Sequence, residues 1–386
     1  MVKQMKKTFL VLIIFASIFF ALGSCNDAIF YKVYEETKQN DPLIDGSPTK
    51  FAVAGGYLWV ASGHTLWRYR NNDSGSGWER FRQDSMIRDI AAFGNYVYLC
   101  MSDGSKGSVR RFNIASEEYS DIDNSNIIDA QTLYAANNKN VLFICSRGSS
   151  PSRFIYYYLN ENSITPVRIT SDADEFDSIL NGAAHDGSRY YLSNKGGIFT
   201  IADSSLSSAA LIAGSDLSGR EGFTGIINLS ADVIAAISRV GKLYKVTSTS
   251  VSEIAKFSND DHSSTGALTL WQMDKDSPFP ELLLAGRQGK LNYSTTTSYS
   301  HGYVEVNLTN GNVAGNLFSN PGELSPSSVA SFDRFASSLG TNPVNSIIQT
   351  PYAVDKNMTL FASTQTKGVW SYRPNKDGEW YWNAEE

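Results

Sequence analysis

Residues 58–70, LWVASGHTLWRYR, place two apolar runs on either side of a short polar turn that contains Gly63. Two such runs joined by a glycine-containing turn are typical of antiparallel strands in a hairpin. The first run, 58–61, is apolar throughout instead of alternating, which is the pattern of a strand buried on both faces. The segment therefore predicts a hairpin inside a larger β-structure.

The same pattern occurs seven times along the chain. Counted on the last residue of each first run, the copies are spaced by 39, 45, 48, 44, 48 and 77 residues. An apolar segment precedes most copies and a polar-aromatic segment often follows, so each unit contains four predicted strands. The pairs of runs are 58–61 with 66–69, 97–100 with 109–112, 142–145 with 154–157, 190–193 with 198–201, 235–237 with 243–246, 282–285 with 291–293, and 360–362 with 369–372.

Four strands in a unit of about forty residues is the period of a β-propeller blade. The first and last copies are also alike in sequence, with LWRYR at 66–70 and VWSYR at 369–373. The chain resembles the β-propeller superfamily over residues 48–386, nearest to the two-component-regulator type of repeat. The resemblance implies an all-β, seven-bladed β-propeller and no particular activity.

The final spacing of 77 residues indicates an insertion at about 296–343. Within it, Ser325 is a good N-cap, Pro326 takes the first helical position, and Gly340 follows the end of an apolar stripe. We therefore predict one helix here, packed on the propeller or offered to a partner. A degenerate eighth blade in this segment is the alternative.

The N-terminus reads as a bacterial lipoprotein signal peptide. A lysine-rich start precedes the apolar run 9–22, which is short for a membrane span. Leu22-Gly23-Ser24-Cys25 resembles the bacterial lipobox, whose cysteine takes the lipid. We expect a signal peptide at 1–24, lipid including palmitate on Cys25, and a tether over 25–47. A plain signal peptide with an incidental cysteine is the alternative.

Charge and targeting narrow the list of partners. The chain of 386 residues carries a formal charge of −6, and removing the signal lysines takes the mature part to about −9. Such a surface repels phosphate backbones, which argues against nucleic acid. The expected location is the cell envelope, with the N-terminal lipid in a membrane. Asn26, in place of the Asp of an inner-membrane retention signal, favours the outer membrane.

Cys100 and Cys145 are the only cysteines besides Cys25. Both end a first run, a position that is small in six of the seven copies and suits close packing between blades. We predict that they are free and buried, since neighbouring blades hold equivalent positions too far apart for a disulfide. Export to an oxidising compartment keeps a bridge open.

The sequence contains no catalytic, metal-binding or cofactor signature, and we expect no enzyme. Its four histidines, His64, His185, His262 and His301, have no ligand spacing. Acidic clusters offer hard oxygen ligands for calcium but lack the twelve-residue loop pattern, so we interpret them as solvated loops. These clusters lie at 121–123, 172–177 and 260–261.

The turns between second and third strands carry a cation in six of the seven copies. In a propeller these turns open on one face, around the central channel. Clustered positive charge there predicts an anionic ligand or an acidic protein patch, although hairpin turns are polar in any case. The candidate residues are Lys106, Arg147, Lys195, Arg239, Arg287 and Lys367, with His64 at the turn of the first blade.

The sequence thus predicts a non-enzymatic binding or scaffolding lipoprotein for an envelope protein or an anionic ligand. The alternative is a propeller hydrolase or lyase acting on envelope or extracellular polysaccharide. Two or more carboxylates converging at the channel mouth would favour the enzyme. The sequence places cations there instead.

Overall fold

The computed structural model describes most of the chain after residue 42. The described residues are 43–72, 75–136, 139–150, 153–161, 163–217, 221–230, 233–257, 262–289, 302–309, 312–313, 339, 342–374, 377–378 and 380–385. The predicted signal peptide, Cys25 and most of the tether lie outside them.

The described residues form 28 strands and one 3₁₀ turn at Asp174–Phe176. The first four blades contain β1 (Ala52–Ala54), β2 (Tyr57–Ser62), β3 (Thr65–Asn72), β4 (Gly75–Arg82); β5 (Met86–Phe93), β6 (Tyr96–Ser102), β7 (Gly107–Asn113), β8 (Tyr119–Asp121); β9 (Asp129–Ala135), β10 (Val141–Arg147), β11 (Phe154–Asn160), β12 (Val167–Ile169); and β13 (Leu180–His185), β14 (Arg189–Asn194), β15 (Ile198–Ala202), β16 (Ala210–Leu211). The last three contain β17 (Phe223–Ser230), β18 (Val233–Ser238), β19 (Lys242–Val246), β20 (Val251–Lys256); β21 (His262–Trp271), β22 (Leu282–Gly289), β23 (Tyr303–Thr309), β24 (Asn312–Val313); and β25 (Val344–Val354), β26 (Asn357–Thr364), β27 (Val369–Pro374), β28 (Trp380–Ala384).

Each group of four consecutive strands forms one antiparallel sheet in sequence order, which gives seven sheets in the described part of the chain. The first strands of blades 2 to 7, together with residues 47–51 before β1, line a common central channel. The structure is therefore a seven-bladed β-propeller, as the repeat predicted. The eight-blade alternative is wrong, because the described part of 296–343 belongs to the sixth sheet.

The core consists of seven apolar clusters, one between each pair of neighbouring blades. Between blades 1 and 2, for example, Trp59 is fully buried, with its ring centroid 5.6 Å from that of Phe112. Each sheet thus buries both faces, which explains why the second strands are continuous apolar runs. Burial of this kind is the main favourable contribution to folding.

The predicted column of small residues lies in these interfaces. Cys100 and Cys145 are buried and free, as predicted. Burial raises the pKa of the Cys145 thiol to about 12, so at neutral pH it is protonated and unreactive. Both thiols act as small apolar side chains.

The third strand of blade 6 differs from the prediction. The run 291–293 was expected there, but β23 pairs with β22 in that position, through Leu284 with Glu305 and Ala285 with Val304. Residues 291–293 lie outside the described residues. The prediction failed because Gly286 and Gly289 follow the apolar run 282–285 closely, as the turn glycines do in other copies. The third strand, β23, begins only at Tyr303 and carries the buried Glu305.

The predicted insertion is correspondingly shorter. Residues 302–309 and 312–313 supply the outer strands of blade 6 instead of a connection between blades. The helix predicted between Ser325 and Gly340 lies outside the described residues, apart from Leu339, which is buried against blades 6 and 7.

The ring is closed by residues 43–46, which lie against blade 7. The Leu43 amide donates to the Glu385 carbonyl (2.6 Å), and the Val369 amide donates to the Ile44 carbonyl (3.1 Å). Ile44 is 1% exposed and packs in the cluster between blades 7 and 1. These residues therefore belong to the same compact unit as the blades.

No helix among the described residues is both long and apolar enough to span a bilayer.

Candidate functional site

The central channel is lined by residues 47–51 of blade 1 and by the first strands of blades 2 to 7, and it has a volume of about 810 Å³. This lies within the range of about 300–1,000 Å³ that small-molecule sites occupy. Its wall is mixed: apolar side chains such as Phe51, Ile226 and Ile347 alternate with polar ones.

The first strands of blades 2 to 7 share a bulge near their start, beside the end of the second strand. A polar residue occupies the bulge in every case, and each one lines the channel, partly exposed. We call these residues the bulge ring: Arg88, Gln131, Asn181, Thr224, Thr265 and Asn345.

The bulges explain why these side chains reach the channel. In a regular first strand, side chains project into the interfaces on either side of the blade, where only apolar or small residues pack well. A bulged residue is left out of the ladder, and its side chain is aimed differently. The six bulges, one in each of blades 2 to 7, therefore direct a ring of polar side chains into the channel. Because second strands lead into the hairpin turns, the bulge ring lies at the same end as those turns, which we call the hairpin face.

The amides of the bulge ring are held by their nitrogens. Asn181 Nδ2 donates to the Phe223 carbonyl (2.7 Å), and Asn345 Nδ2 donates to the Thr364 carbonyl (3.4 Å). Gln131 Nε2 donates to the carbonyl of Asp129 (3.4 Å). In the described part of the chain, the three amide oxygens accept no hydrogen bond. They remain as acceptors for a ligand.

An ion pair between Lys50 and Asp89 lies below the ring. Asp89 also accepts hydrogen bonds from the amides of Ile90 (2.9 Å) and Leu133 (2.9 Å), so it joins blades 1, 2 and 3. Lys50 Nζ is 4.1 Å from the centroid of the Tyr134 ring, a cation–π contact. Burial lowers the pKa of Lys50, opposed by Asp89, and burial raises the pKa of Tyr134.

A second carboxylate, Asp129, lies at the start of β9. Arg88 Nη1 is 3.0 Å from Asp129 Oδ1, and the Gly107 amide donates to the same oxygen (2.7 Å). Arg147 Nε is 4.0 Å from Asp129 Oδ2. Asp89 at the channel and Asp129 outside its lining are therefore each paired with a cation and hydrogen-bonded to at least one backbone amide, which suits a structural role better than proton transfer.

The predicted cations occupy two different environments. Six of the seven residues have exposed side chains in the hairpin turns, and none of the seven lines the channel. Among the described residues, five of the six make no ion pair, and the exception is Arg147 with its long contact to Asp129. The exposed residues are His64, Lys106, Arg147, Lys195, Arg239 and Lys367.

Arg287 is the exception, because it is 6% exposed. The Nε of Arg287 has no hydrogen-bond partner among the described residues. Burial lowers the pKa of its guanidinium to about 10. The side chain remains charged at neutral pH, but it is not part of an accessible ring. The sequence could not reveal this, since Arg287 occupies the same repeat position as the exposed cations.

The histidines and acidic clusters form no metal site in the described part of the chain, where no three His, Cys, Asp or Glu side chains converge. His185 is buried, with Nε2 2.6 Å from Asp203 Oδ1, and its Nδ1 accepts a hydrogen bond from the Gly187 amide (2.8 Å). Both ring nitrogens are thus occupied, and the imidazole is structural. His262, His301 and 260–261 lie outside what can be described of the side chains.

Sequence reasoning missed the residues that line the channel. Arg88 and Asp89 stand side by side inside an otherwise apolar first strand, and Lys50 directly precedes another. Polar residues that interrupt a buried strand often mark a functional or specially supported position. That signal was present for Arg88 and Asp89, whereas the position of each bulge was not readable.

Comparison with known proteins gives structural neighbours only. No protein-family model and no curated protein matches the sequence. Two structures of the extracellular domain of BT4673 from B. thetaiotaomicron, described as a one component system and as a hybrid two component system, match with TM-scores of 0.54 and 0.53. Their identity to this chain is 12% and 13%, over 88% of it and 40% of each of theirs. The shared feature is the fold.

PorZ, an essential bacterial surface component of the type-IX secretion system of Porphyromonas gingivalis, also matches, with a TM-score of 0.48 and 12% identity over 86% of this chain and 37% of that one. This chain spans about two fifths of the length of these neighbours. Similarity of fold carries no activity with it.

Proposed function

We propose that this protein is a lipid-anchored, non-enzymatic binding lipoprotein of the cell envelope, which holds an anionic ligand or an acidic protein on its hairpin face. The proposal rests on the exposed cations of the hairpin turns, most of which form no ion pair within the described part of the chain. A cation without an ion pair contributes its full field to an approaching anion. The protein as a whole is acidic, so this local charge would orient a ligand towards one face.

The alternative enzyme needs carboxylates free to exchange protons or attack a sugar carbon. Asp89, which lines the channel, and Asp129, which lies outside its lining, are each paired with a cation and accept a hydrogen bond from at least one backbone amide. That arrangement occupies their carboxylate oxygens and joins neighbouring blades. It favours binding over hydrolysis or elimination.

To test the binding face, Lys106, Lys195 and Arg239 are replaced together by Gln, and affinity for hexaglutamate and for an oligogalacturonate is measured by calorimetry. Loss of three unpaired charges is expected to weaken binding of the anion that binds wild type by about tenfold or more at low salt. A triple replacement of exposed cations away from the hairpin turns, Arg168, Lys245 and Lys275, is the matched control. Equal affinities of the two triple variants would refute the proposal.

The membrane anchor is proposed from the lipobox at 22–25. Residues 25–42 would hold the propeller within about 60 Å of the bilayer, since an extended chain covers about 3.3–3.6 Å per residue. Two or three acyl chains suffice for stable attachment.

Replacing Cys25 with Ser is expected to release the protein from the membrane fraction and to abolish incorporation of labelled palmitate, because the thiol that takes the lipid is gone. Cys100→Ala is the control, since alanine occupies the same position in other blades, and it should keep both properties. A Cys25→Ser protein that stays labelled and membrane-bound would show that the anchor lies elsewhere.

A further inference from the structure

Five of the six bulge-ring residues are uncharged, and several of them offer hydrogen-bond acceptors. The side-chain amide nitrogens of Gln131, Asn181 and Asn345 donate hydrogen bonds to backbone carbonyls. Their amide oxygens accept no hydrogen bond from any residue that the structure describes. Thr224 likewise donates to a backbone carbonyl, that of Ile237 (3.3 Å), and keeps lone pairs available. Neutral acceptors arranged around a mouth select a ligand that is rich in hydroxyl or amide donors.

Arg88 is the cation of the bulge ring. Arg88 uses Nη1 for Asp129, and its Nε and Nη2 make no hydrogen bond among the described residues. Its side chain is 30% exposed. A guanidinium with unused nitrogens pairs well with a carboxylate or sulfate group. The exposed hairpin cations surround it at the same end.

The channel wall below the ring supplies apolar surface. Phe51, Ala183 and Ile347 line it. A pyranose ring presents apolar C–H faces and a rim of hydroxyl groups, so it matches a wall of this kind under a polar ring. A simple anion or an acidic peptide needs the cations but gains little from three free amide oxygens.

We infer that the ligand of the hairpin face is an acidic saccharide, whose hydroxyl groups bind the amide oxygens of the bulge ring while its acidic groups face Arg88 and the hairpin cations. This inference rests on the proposed function and specifies its ligand. The channel volume of about 810 Å³ accommodates the end of a chain and not a folded partner.

The test compares three probes on the full chain in detergent: an oligogalacturonate, its methyl-esterified form and hexaglutamate. The first combines hydroxyl groups with charge, the second keeps the hydroxyl groups, and the third keeps the charge. Oligogalacturonate is expected to bind about tenfold or more tighter than either of the others, because only it uses both sets of contacts.

The decisive variant is Gln131→Ala with Asn345→Ala, since the hydrogen bonds that these amides make are long (3.3–3.4 Å) and their loss should not affect folding. It is expected to weaken oligogalacturonate binding about tenfold and to leave hexaglutamate within about twofold. Asn140→Ala with Asn160→Ala removes two exposed amides at the opposite end of blade 3 and should change neither. Thermal unfolding of both variants checks that the fold is intact.

The outcomes separate this inference from the proposed function. If hexaglutamate binds as tightly as oligogalacturonate and the Gln131/Asn345 variant binds both normally, the saccharide is refuted while an anion-binding face stands. If the ester binds as well as the acid, the acidic group is refuted. If no probe binds, the proposed anionic ligand fails together with the inference.

Discussion

Replacing Glu385 with Ala is expected to lower the free energy of unfolding by about 3–5 kcal/mol, because its buried carboxylate is the acceptor for Arg373 and for two further donors. The side chain of Glu385 is 2% exposed and lies 2.9 Å from Arg373. Trp78 Nε1 donates to its Oε2 (2.9 Å), and the hydroxyl of Ser371 donates to its Oε1.

The size of this effect follows from where Glu385 lies. Trp78 belongs to blade 1, whereas Arg373 and Ser371 belong to blade 7, so a single carboxylate joins the two ends of the ring. Its backbone carbonyl also accepts the hydrogen bond from Leu43. The stability of a propeller depends on closure of its ring of blades. An open ring would expose the apolar cluster between the first and last blades.

Equilibrium unfolding in urea measures the effect directly. Glu253→Ala is the matched control, because that glutamate is 44% exposed and its contact with Lys242 is 3.8 Å. It should cost at most about 1 kcal/mol. A loss below about 1 kcal/mol for Glu385→Ala would mean that the ring is closed by apolar packing alone.

Asp89→Ala is expected to cost about 3–5 kcal/mol as well, because it leaves the Lys50 ammonium in the channel without its partner. Asp89 is 7% exposed and accepts hydrogen bonds from two backbone amides besides the ion pair. Its removal therefore deletes the polar contacts that join blade 2 to blades 1 and 3 at this point. Asp276→Ala, an exposed ion-pair partner of Lys356 at 3.4 Å, is the control and should cost at most about 1 kcal/mol.

The double replacement Lys50→Met with Asp89→Ala distinguishes charge from packing. If the cost of Asp89→Ala comes from the abandoned cation, removing that cation as well should restore about 1 kcal/mol or more. Additive losses in urea unfolding would contradict the ion-pair account and assign the effect to the lost amide contacts.

Much of the fold could be read from the sequence because blade packing imposes a pattern on it. A second strand buried on both faces must be apolar, and its end must be small, so Leu58–Ala61 and its counterparts recur at a nearly constant spacing. Blade 6 broke the pattern, since its third strand carries Glu305 and follows after residue 302. Residues 43–46 were missed because a short segment that pairs with a distant blade has no local signature.

The site was less accessible to sequence reasoning. The hairpin cations were found because a turn is local, and six of the seven are exposed as expected. The bulge ring was not, because a bulge is a matter of register between two strands and leaves no fixed residue type behind. Arg287 shows the converse, since the same repeat position is buried in one blade and exposed in the others.

Hydroxyl-radical footprinting of the full chain, with and without saturating oligogalacturonate, tests the central claim most directly. Met86 lies at the channel mouth and is 50% exposed, whereas Phe279, 48% exposed, lies in the connection between β21 and β22 at the opposite end. The account predicts that the ligand reduces oxidation of Met86 several-fold and leaves Phe279 unchanged. Unchanged oxidation of Met86, or protection of Phe279 instead, would contradict it.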